Sequence, residues 1–376
     1  MEGMFRQLGI YSPFGQLYEP EDSDQLMYYR EDQQGQVLQE GINEAGAMSS
    51  WMAAATAYAN HGIAMVPFYV FYSMFGLQRV GDLAWAAGDI QARGFLIGGT
   101  AGRTTLAGEG LQHQDGHSQL LASVIPNCVS YDPAFSYELA VIVQDGLRRM
   151  FGQKENIYYY ITVMNENYVH PPMPKGAETG ILKGLYLLKK ARRARKATPR
   201  VRLMGSGTIL NEALAAGELL MRDYGVQSDI WSVTSFNELT RDGRAASRHN
   251  RYHPEGSVRN AYVTQCLEND DAPVIAATDY VQSYADQIRE FVPARYVVLG
   301  TDGFGRSGTR AQLRQFFEVN RWHIALAALK ALADEGQVPP STVSDAIKQY
   351  SLDSACLLYT SPSPRDGLLS RMPSCA

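Results

Sequence analysis

Cysteine is scarce. Cys128, Cys266, Cys356 and Cys375 are the four in 376 residues, and no two form a C-x-x-C pair. That spacing argues against a disulfide framework or a structural zinc site, and it fits a reducing cytoplasm. An excess of one charge is also missing: 34 Lys and Arg stand against 39 Asp and Glu, a net charge of −5. Nucleic-acid-binding domains are usually basic, so this balance disfavours that class. No long hydrophobic run occurs. The longest uncharged apolar stretch, Ile63–Leu77, is broken by Pro67 and falls short of the roughly 18 residues a membrane span needs. The first residues do not read as a basic-then-apolar signal peptide. The G-x-x-x-x-G-K-[ST] phosphate loop is absent, and no repeat of fixed period suggests a solenoid.

What is present is enough apolar material for a core: 45% of residues are hydrophobic and 19% charged. The length suits about two or three domains. Apolar runs read as strands at Met65–Tyr72, Gly94–Thr100, Ile125–Tyr131 and Ile157–Met164, and again at Val201–Gly205, Ile230–Thr234, Val274–Ala277 and Tyr296–Gly300. Helical stretches fall at Leu38–Ala59, Phe75–Ile90, Ala134–Phe151, Ile209–Tyr224, Gln282–Phe291 and Trp322–Glu335. Apolar strands separated by helices predict an α/β fold, with two consecutive domains of mostly parallel sheets covered by helices.

The division between halves is marked by His170-Pro171-Pro172-Met173-Pro174 and then by a basic tract within Lys189–Arg200. Proline ends regular elements there. The tract reads as a solvated connector or as a docking patch for phosphate or an acidic partner. The expected organisation is a first domain over 1–173, a linker over 174–200, a second domain over 201–353 and a tail over 354–376. The tail's CLLYTSPSPRD looks like the conceptual translation of a sequencing-adapter read, so Cys356–Ala376 is set apart from the fold as an artefact or a disordered natural tail.

Three stretches could carry chemistry. In the first, Leu38, Ile42, Ala45 and Met52 share one helical stripe, and Glu44, Met48, Trp51 and Ala55 share its neighbour. A carboxylate at Glu44 is then either poorly solvated, with a raised pKa, or a surface glutamate near a helix start. In the second, Tyr72 and Phe75 sit where a strand runs into a helix. Ligands of parallel sheets gather at such strand ends, and aromatics there stack on a flat heterocycle or simply fill the core. The third, Gly94–Ser118, crowds Glu109, His113, Asp115 and His117 into one glycine-rich loop. Proton transfer, a metal site or a structural loop are all open readings. His249 and His253 are placed in a polar, Arg-rich loop, Asn165–Asn167 in a polar turn, and Gly300–Arg306 in a strand-to-helix turn.

Taken together, VLQEGINEAGA, PFYVFYSMFGLQRVGDLAWAAGD, RGFLIGGTAGRTTLAGEGLQHQDGHS, IPNCVSYDPAFSYELAVI, NIYYYITVMNENY, SVTSFNELTRDG and VLGTDGFGRS resemble one family. It is the decarboxylating, thiamine-diphosphate-dependent component of the pyruvate dehydrogenase complex, in its homodimeric bacterial form. The resemblance runs from Met1 to about Asp353. It implies a transketolase-like pyrimidine-binding domain followed by a transketolase C-terminal-like domain. The family's G-D-G…N motif for the diphosphate and Mg²⁺ is absent, so those ligands are expected in an N-terminal domain that precedes this segment, and Met1 is read as a truncation.

By resemblance, Glu44 hydrogen-bonds the pyrimidine nitrogen and Phe75 stacks on the ring. Tyr72 and His113 line the substrate side, with His117 a further residue of the same loop, and Phe14–Arg30 is a mobile lid. The implied activity is oxidative decarboxylation of pyruvate with reductive acetylation of the lipoyl group of a dihydrolipoyl acetyltransferase, that is, a 2-oxo-acid oxidoreductase with a disulfide acceptor. The implied state is a cytoplasmic homodimer within a multienzyme complex, without membrane or nucleic-acid partners. Alone, the chain is expected to be inactive. The alternatives are a related thiamine-dependent 2-oxo-acid dehydrogenase or transketolase-like enzyme, and a non-catalytic dimerisation fragment.

Overall fold

Short apolar runs become the strands of two separate sheets. The computed structural model describes residues 7–21, 29–108, 112–191 and 198–352. Near the start, β1 (Ile10–Tyr11) and β2 (Glu31–Asp32) form a short parallel pair. The first sheet contains β3 (Phe68–Tyr72), β4 (Phe95–Gly99), β5 (Cys128–Tyr131) and β6 (Tyr158–Thr162), in the order β3-β4-β6-β5 and parallel throughout. The second contains β7 (Leu185–Lys189), β8 (Arg200–Gly205), β9 (Gln227–Val233), β10 (Val274–Ala277) and β11 (Tyr296–Leu299), in the order β11-β10-β8-β9-β7. It is parallel except for β7, which runs antiparallel to β9. Every residue of β5, β6 and β10 is buried, as strands covered by helices on both faces must be.

The helices bury one stripe each. Ile209–Tyr224 buries Leu210, Ala213, Gly217 and Leu220 and stops at Gly225, whose φ of +65° closes the last turn. A side chain at Gly217 would put Cβ 2.6 Å from Ser228 Oγ, so glycine is what lets this helix lie against β9. No helix among the described residues is long and apolar enough to cross a membrane.

Several expectations need correction. The helix expected over Leu38–Ala59 starts only at Glu44, where Asn43 caps it by accepting from Gly46 N at 3.0 Å. Gly41 has a φ of +68° and Ile42 is 99% exposed, so the stripe through Leu38 and Ile42 does not form. The neighbouring stripe does: Met48, Trp51 and Ala55 are buried. The strand expected at Met65–Tyr72 is confined to β3 and is not buried throughout, because it is a sheet edge. Phe68, Val70 and Tyr72 are exposed. Within the expected linker, Glu178–Lys183 is a helix and β7 a strand of the second sheet, because apolar Leu185 and Tyr186 bury against β9. Of the basic tract, residues 192–197 lie outside the described residues, as does the tail over 353–376. His249 belongs not to a loop but to the last turn of the helix Phe236–Tyr252, with His253 as its cap.

Buried carboxyls stitch the domains together. Glu138 accepts from Ala134 N and Phe135 N at the start of its own helix, at 2.6 and 3.0 Å. It also accepts from Tyr186 OH and Ser232 Oγ of the second domain, both at 2.7 Å. Asp132, at the end of β5, accepts from Thr162 Oγ1 at 2.7 Å and from Tyr280 OH at 3.2 Å. Burial pushes the Asp132 carboxyl up to about 7, against the pull of those hydroxyls. The folded chain therefore keeps a proton that the unfolded chain sheds near pH 4. Stability falls as pH rises from there to about 7 and is flat above, as far as this group is concerned. The span corresponds to about 4 kcal/mol. Asp132→Asn cannot ionise and should remove that slope in urea unfolding measured from pH 4 to 8, gaining on the parent chain most above pH 7. An unchanged slope would contradict the assignment.

Candidate active site

The carboxyl end of β3 turns straight into the helix Gly76–Asp89. Phe75 N donates to Tyr72 O at 3.0 Å, closing the turn. Gly76 is required there, since a Cβ would fall 1.9 Å from the Phe71 ring. The turn sets Tyr72 and Phe75 side by side, with ring centroids 5.9 Å apart.

His113 approaches the same pair from the glycine-rich loop. Its ring is 5.2 Å from that of Phe75 and 6.2 Å from that of Tyr72. Glu44 arrives from the start of the helix Glu44–Ala55 and is joined to Phe75 through Arg79. Arg79 Nη1 lies 2.6 Å from Glu44 Oε1, and its guanidinium carbon lies 4.3 Å from the Phe75 ring centre. The Glu44 side chain is 20% exposed, so the carboxylate is half-buried rather than enclosed. The expectation of a poorly solvated group holds only in that weaker form, because Glu44 is the first residue of its helix and lies at the domain surface. Burial beside Glu44 also pushes the Tyr69 phenol up to about 12.

A network of buried polar groups holds the loop. Gln114 donates to Leu106 O at 2.8 Å and accepts from Arg306 N at 2.6 Å. Asp115 accepts from His117 N and Ser118 N, both at 2.9 Å, and from Ser118 Oγ. Gly116 lies against Arg103, where a Cβ would sit 2.4 Å from Nε. Gly116 O accepts from Val281 N of the second domain at 2.8 Å. The anchor is Asp279. One carboxylate oxygen accepts from Thr104 N and Oγ1 at 2.8 and 2.6 Å, and the other from Thr105 N and Oγ1 at 3.1 and 2.6 Å. Burial pushes the Asp279 carboxyl up, opposed by nearby Arg314, the Thr104 and Thr105 hydroxyls and the Thr104 amide. Arg314 in turn pairs with Glu166 and lies 3.5 Å from Glu212.

The structure thus brings Glu44, Tyr72, Phe75 and His113 together. His117 caps the helix Ser118–Ser123 and, among the described residues, makes no ring contact with that group. Glu109 and residues 22–28 of the expected lid lie outside the described residues. Among the described residues no group of three or more His, Cys, Asp or Glu could hold a metal ion. Arg79 and Asp279 escaped the sequence reading. Arg79 follows Phe75 at helical spacing, a signal that was available; nothing local marks Asp279.

Two family models match the chain: the pyruvate dehydrogenase E1 component middle domain over residues 1–171, and the transketolase-like C-terminal domain over residues 184–320. The pyruvate dehydrogenase E1 component of Pseudomonas aeruginosa is 63% identical over 354 residues, 94% of this chain. The chain belongs to the pyruvate dehydrogenase E1 component family. The E1 component of Escherichia coli K12 is 57% identical over 355 residues. This chain spans 40% of the length of each of these E1 relatives. The fold is also that of transketolase. The Leishmania mexicana enzyme superposes with a TM-score of 0.60 at 14% identity, covering 91% of this chain and 46% of that one. A split-gene transketolase, solved as an inactive beta4 tetramer, gives 0.55 at 13% identity, covering 88% of this chain and 95% of that one.

In this chain Asp279→Ala removes the acceptor of four buried donors, of which Thr105 Oγ1 can turn to Thr208 Oγ1, and should cost roughly 3 kcal/mol or more in urea unfolding. Amide exchange should quicken at Ala101–Leu106 before it does in the helix Ile209–Tyr224. A loss below about 0.5 kcal/mol, typical of a surface substitution, would show that Asp279 does not anchor the loop.

Proposed function

We propose that this chain supplies the pyrimidine-binding end of a thiamine-diphosphate site to a cytoplasmic, homodimeric pyruvate dehydrogenase. That enzyme decarboxylates pyruvate oxidatively and acetylates the lipoyl group of a dihydrolipoyl acetyltransferase. The observation that carries the reading is the convergence of Glu44, Phe75, Tyr72 and His113, through Arg79, at the carboxyl end of β3. Such strand ends are where parallel sheets bind ligands.

The donor set fits the cofactor's aminopyrimidine. A flat, cationic guanidinium already lies on the Phe75 ring and against Glu44 Oε1, so the two groups can be bridged by one planar ligand. Glu44 would share a proton with a ring nitrogen, accepting when that nitrogen carries it, and half-burial limits competition from water. Phe75 would hold the ring by stacking. The Tyr72 hydroxyl and the His113 imidazole, each able to donate or accept, would orient the 2-oxo acid. His117 would act at one remove, through the loop backbone that Asp115 fixes. Bound there, thiamine diphosphate supplies the electron sink for loss of CO₂. The diphosphate and Mg²⁺ contacts would come from parts of the E1 component other than this segment.

In the E1 component containing this segment, Glu44→Ala should lower steady-state turnover of pyruvate by at least a hundredfold, the scale of a lost acid–base contribution. Unchanged turnover would overturn the role of Glu44. The chain alone, given thiamine diphosphate and Mg²⁺, should release no CO₂ from pyruvate above background; sustained release would refute the division of the site.

A further inference from the structure

Arg79 makes two contacts at once. Its own helix carries it back over Phe75, four residues earlier, and Arg79 N donates to Phe75 O at 3.0 Å. Its guanidinium covers that ring at 4.3 Å and meets Glu44, from a different helix, at 2.6 Å. Glu44 is 20% exposed and Arg79 51%, so water competes for the arginine more than for the carboxylate.

If Glu44 and Phe75 are the pyrimidine contacts, one arginine holds both of the positions that the ring would take. A guanidinium resembles an aminopyrimidine in the features that matter here. Both are planar, both can give an N–H to a carboxylate, the pyrimidine from its amino group or from a protonated ring nitrogen, and both stack on an aromatic face. Neither can share the same carboxylate oxygen and the same ring face with the other. We propose that Arg79 is a positioning residue that acts as an intramolecular placeholder. It keeps the Glu44 carboxylate and the Phe75 ring in register, and the cofactor's pyrimidine displaces it from both. The inference rests on the reading of Glu44 and Phe75 given under the proposed function.

An ion pair and a cation–π contact whose arginine is half open to water are each weak. A placeholder built from them costs the cofactor about three- to thirtyfold in affinity, so it can be displaced. It also lowers the cost of exposing an unpartnered carboxylate beside an apolar ring.

The test is thiamine diphosphate affinity, measured by calorimetric titration in the presence of Mg²⁺ on the full-length E1 component. Arg79→Ala should tighten binding about three- to thirtyfold, which a merely damaged fold would not do. Arg79→Lys keeps the charge but not the flat stack, and should fall between that variant and the parent. In a Glu44→Gln background the gain from Arg79→Ala should shrink, because the ion pair is already gone. Unchanged or weaker binding by Arg79→Ala would overturn the inference. If Glu44→Gln alone alters neither affinity nor turnover, the underlying reading of the site fails. If Glu44→Gln weakens binding while Arg79→Ala does not tighten it, only the placeholder fails.

Discussion

The carboxylate of Asp279 is where two domains become one site. It sits at the end of β10 in the second domain, yet its four hydrogen-bond donors are Thr104 and Thr105 of the first. Without it the two amides and Thr104 Oγ1 lose this acceptor, while Thr105 Oγ1 can still turn to Thr208 Oγ1 at 2.6 Å; buried donors left unpaired are costly. Gly102, with a φ of +89°, is what allows the approach, since a Cβ there would lie 2.3 Å from Asp279 Oδ2. Leu106 O, next to this anchor, accepts from Gln114 Nε2 at 2.8 Å, and Gln114 is the neighbour of His113. A residue of the second domain is thus tied through hydrogen bonds to the backbone beside an imidazole of the first.

Other carboxyls bridge the domains as well, beside neutral bonds such as Asn237 Nδ2 to Gln119 O. Buried Glu138 and Asp132 and half-buried Glu166 belong to the first domain and meet partners in the second. Buried carboxyls are unfavourable unless their hydrogen bonds are complete. Their placement at this boundary makes the relative position of the domains specific rather than merely sticky. That specificity matters for the proposed chemistry. A site assembled from a strand end, a helix start and a loop needs its parts held to within a fraction of an ångström. The chain matches the pyruvate dehydrogenase E1 component family over 40% of the length of these E1 relatives.

Much of this was legible in the amino-acid order, for identifiable reasons. Strands buried on both faces, such as β6 and β10, announce themselves as continuous apolar runs, and the helix Ile209–Tyr224 has a clean stripe and a glycine stop. The stripe through Glu44, Met48, Trp51 and Ala55 proved to be the buried one. Other elements were hidden. The helix Phe236–Tyr252 is amphipathic, but most of its residues are polar or charged and its buried stripe includes Asn237, Thr240 and Gly243 beside Phe236 and Leu239, so no apolar run marks it. Its start is marked by the cap, Ser235 accepting from Glu238 N. β7 was masked by the basic tract that follows it. Contacts across long separations, Asp279 to Thr104 or Arg314 to Glu166, leave no local trace. The aromatic pair and the histidine were visible as residues of a strand end and a loop; Arg79, which ties Phe75 to Glu44, was marked only by its helical spacing from Phe75.

The most direct test of the central claim is a crystal structure of the full-length E1 component with thiamine diphosphate and Mg²⁺ bound. The account predicts the pyrimidine ring on the face of Phe75, with a ring nitrogen within hydrogen-bonding distance of Glu44 and both Tyr72 and His113 facing the substrate side. A ring bound elsewhere, with Glu44 turned to solvent, would contradict it.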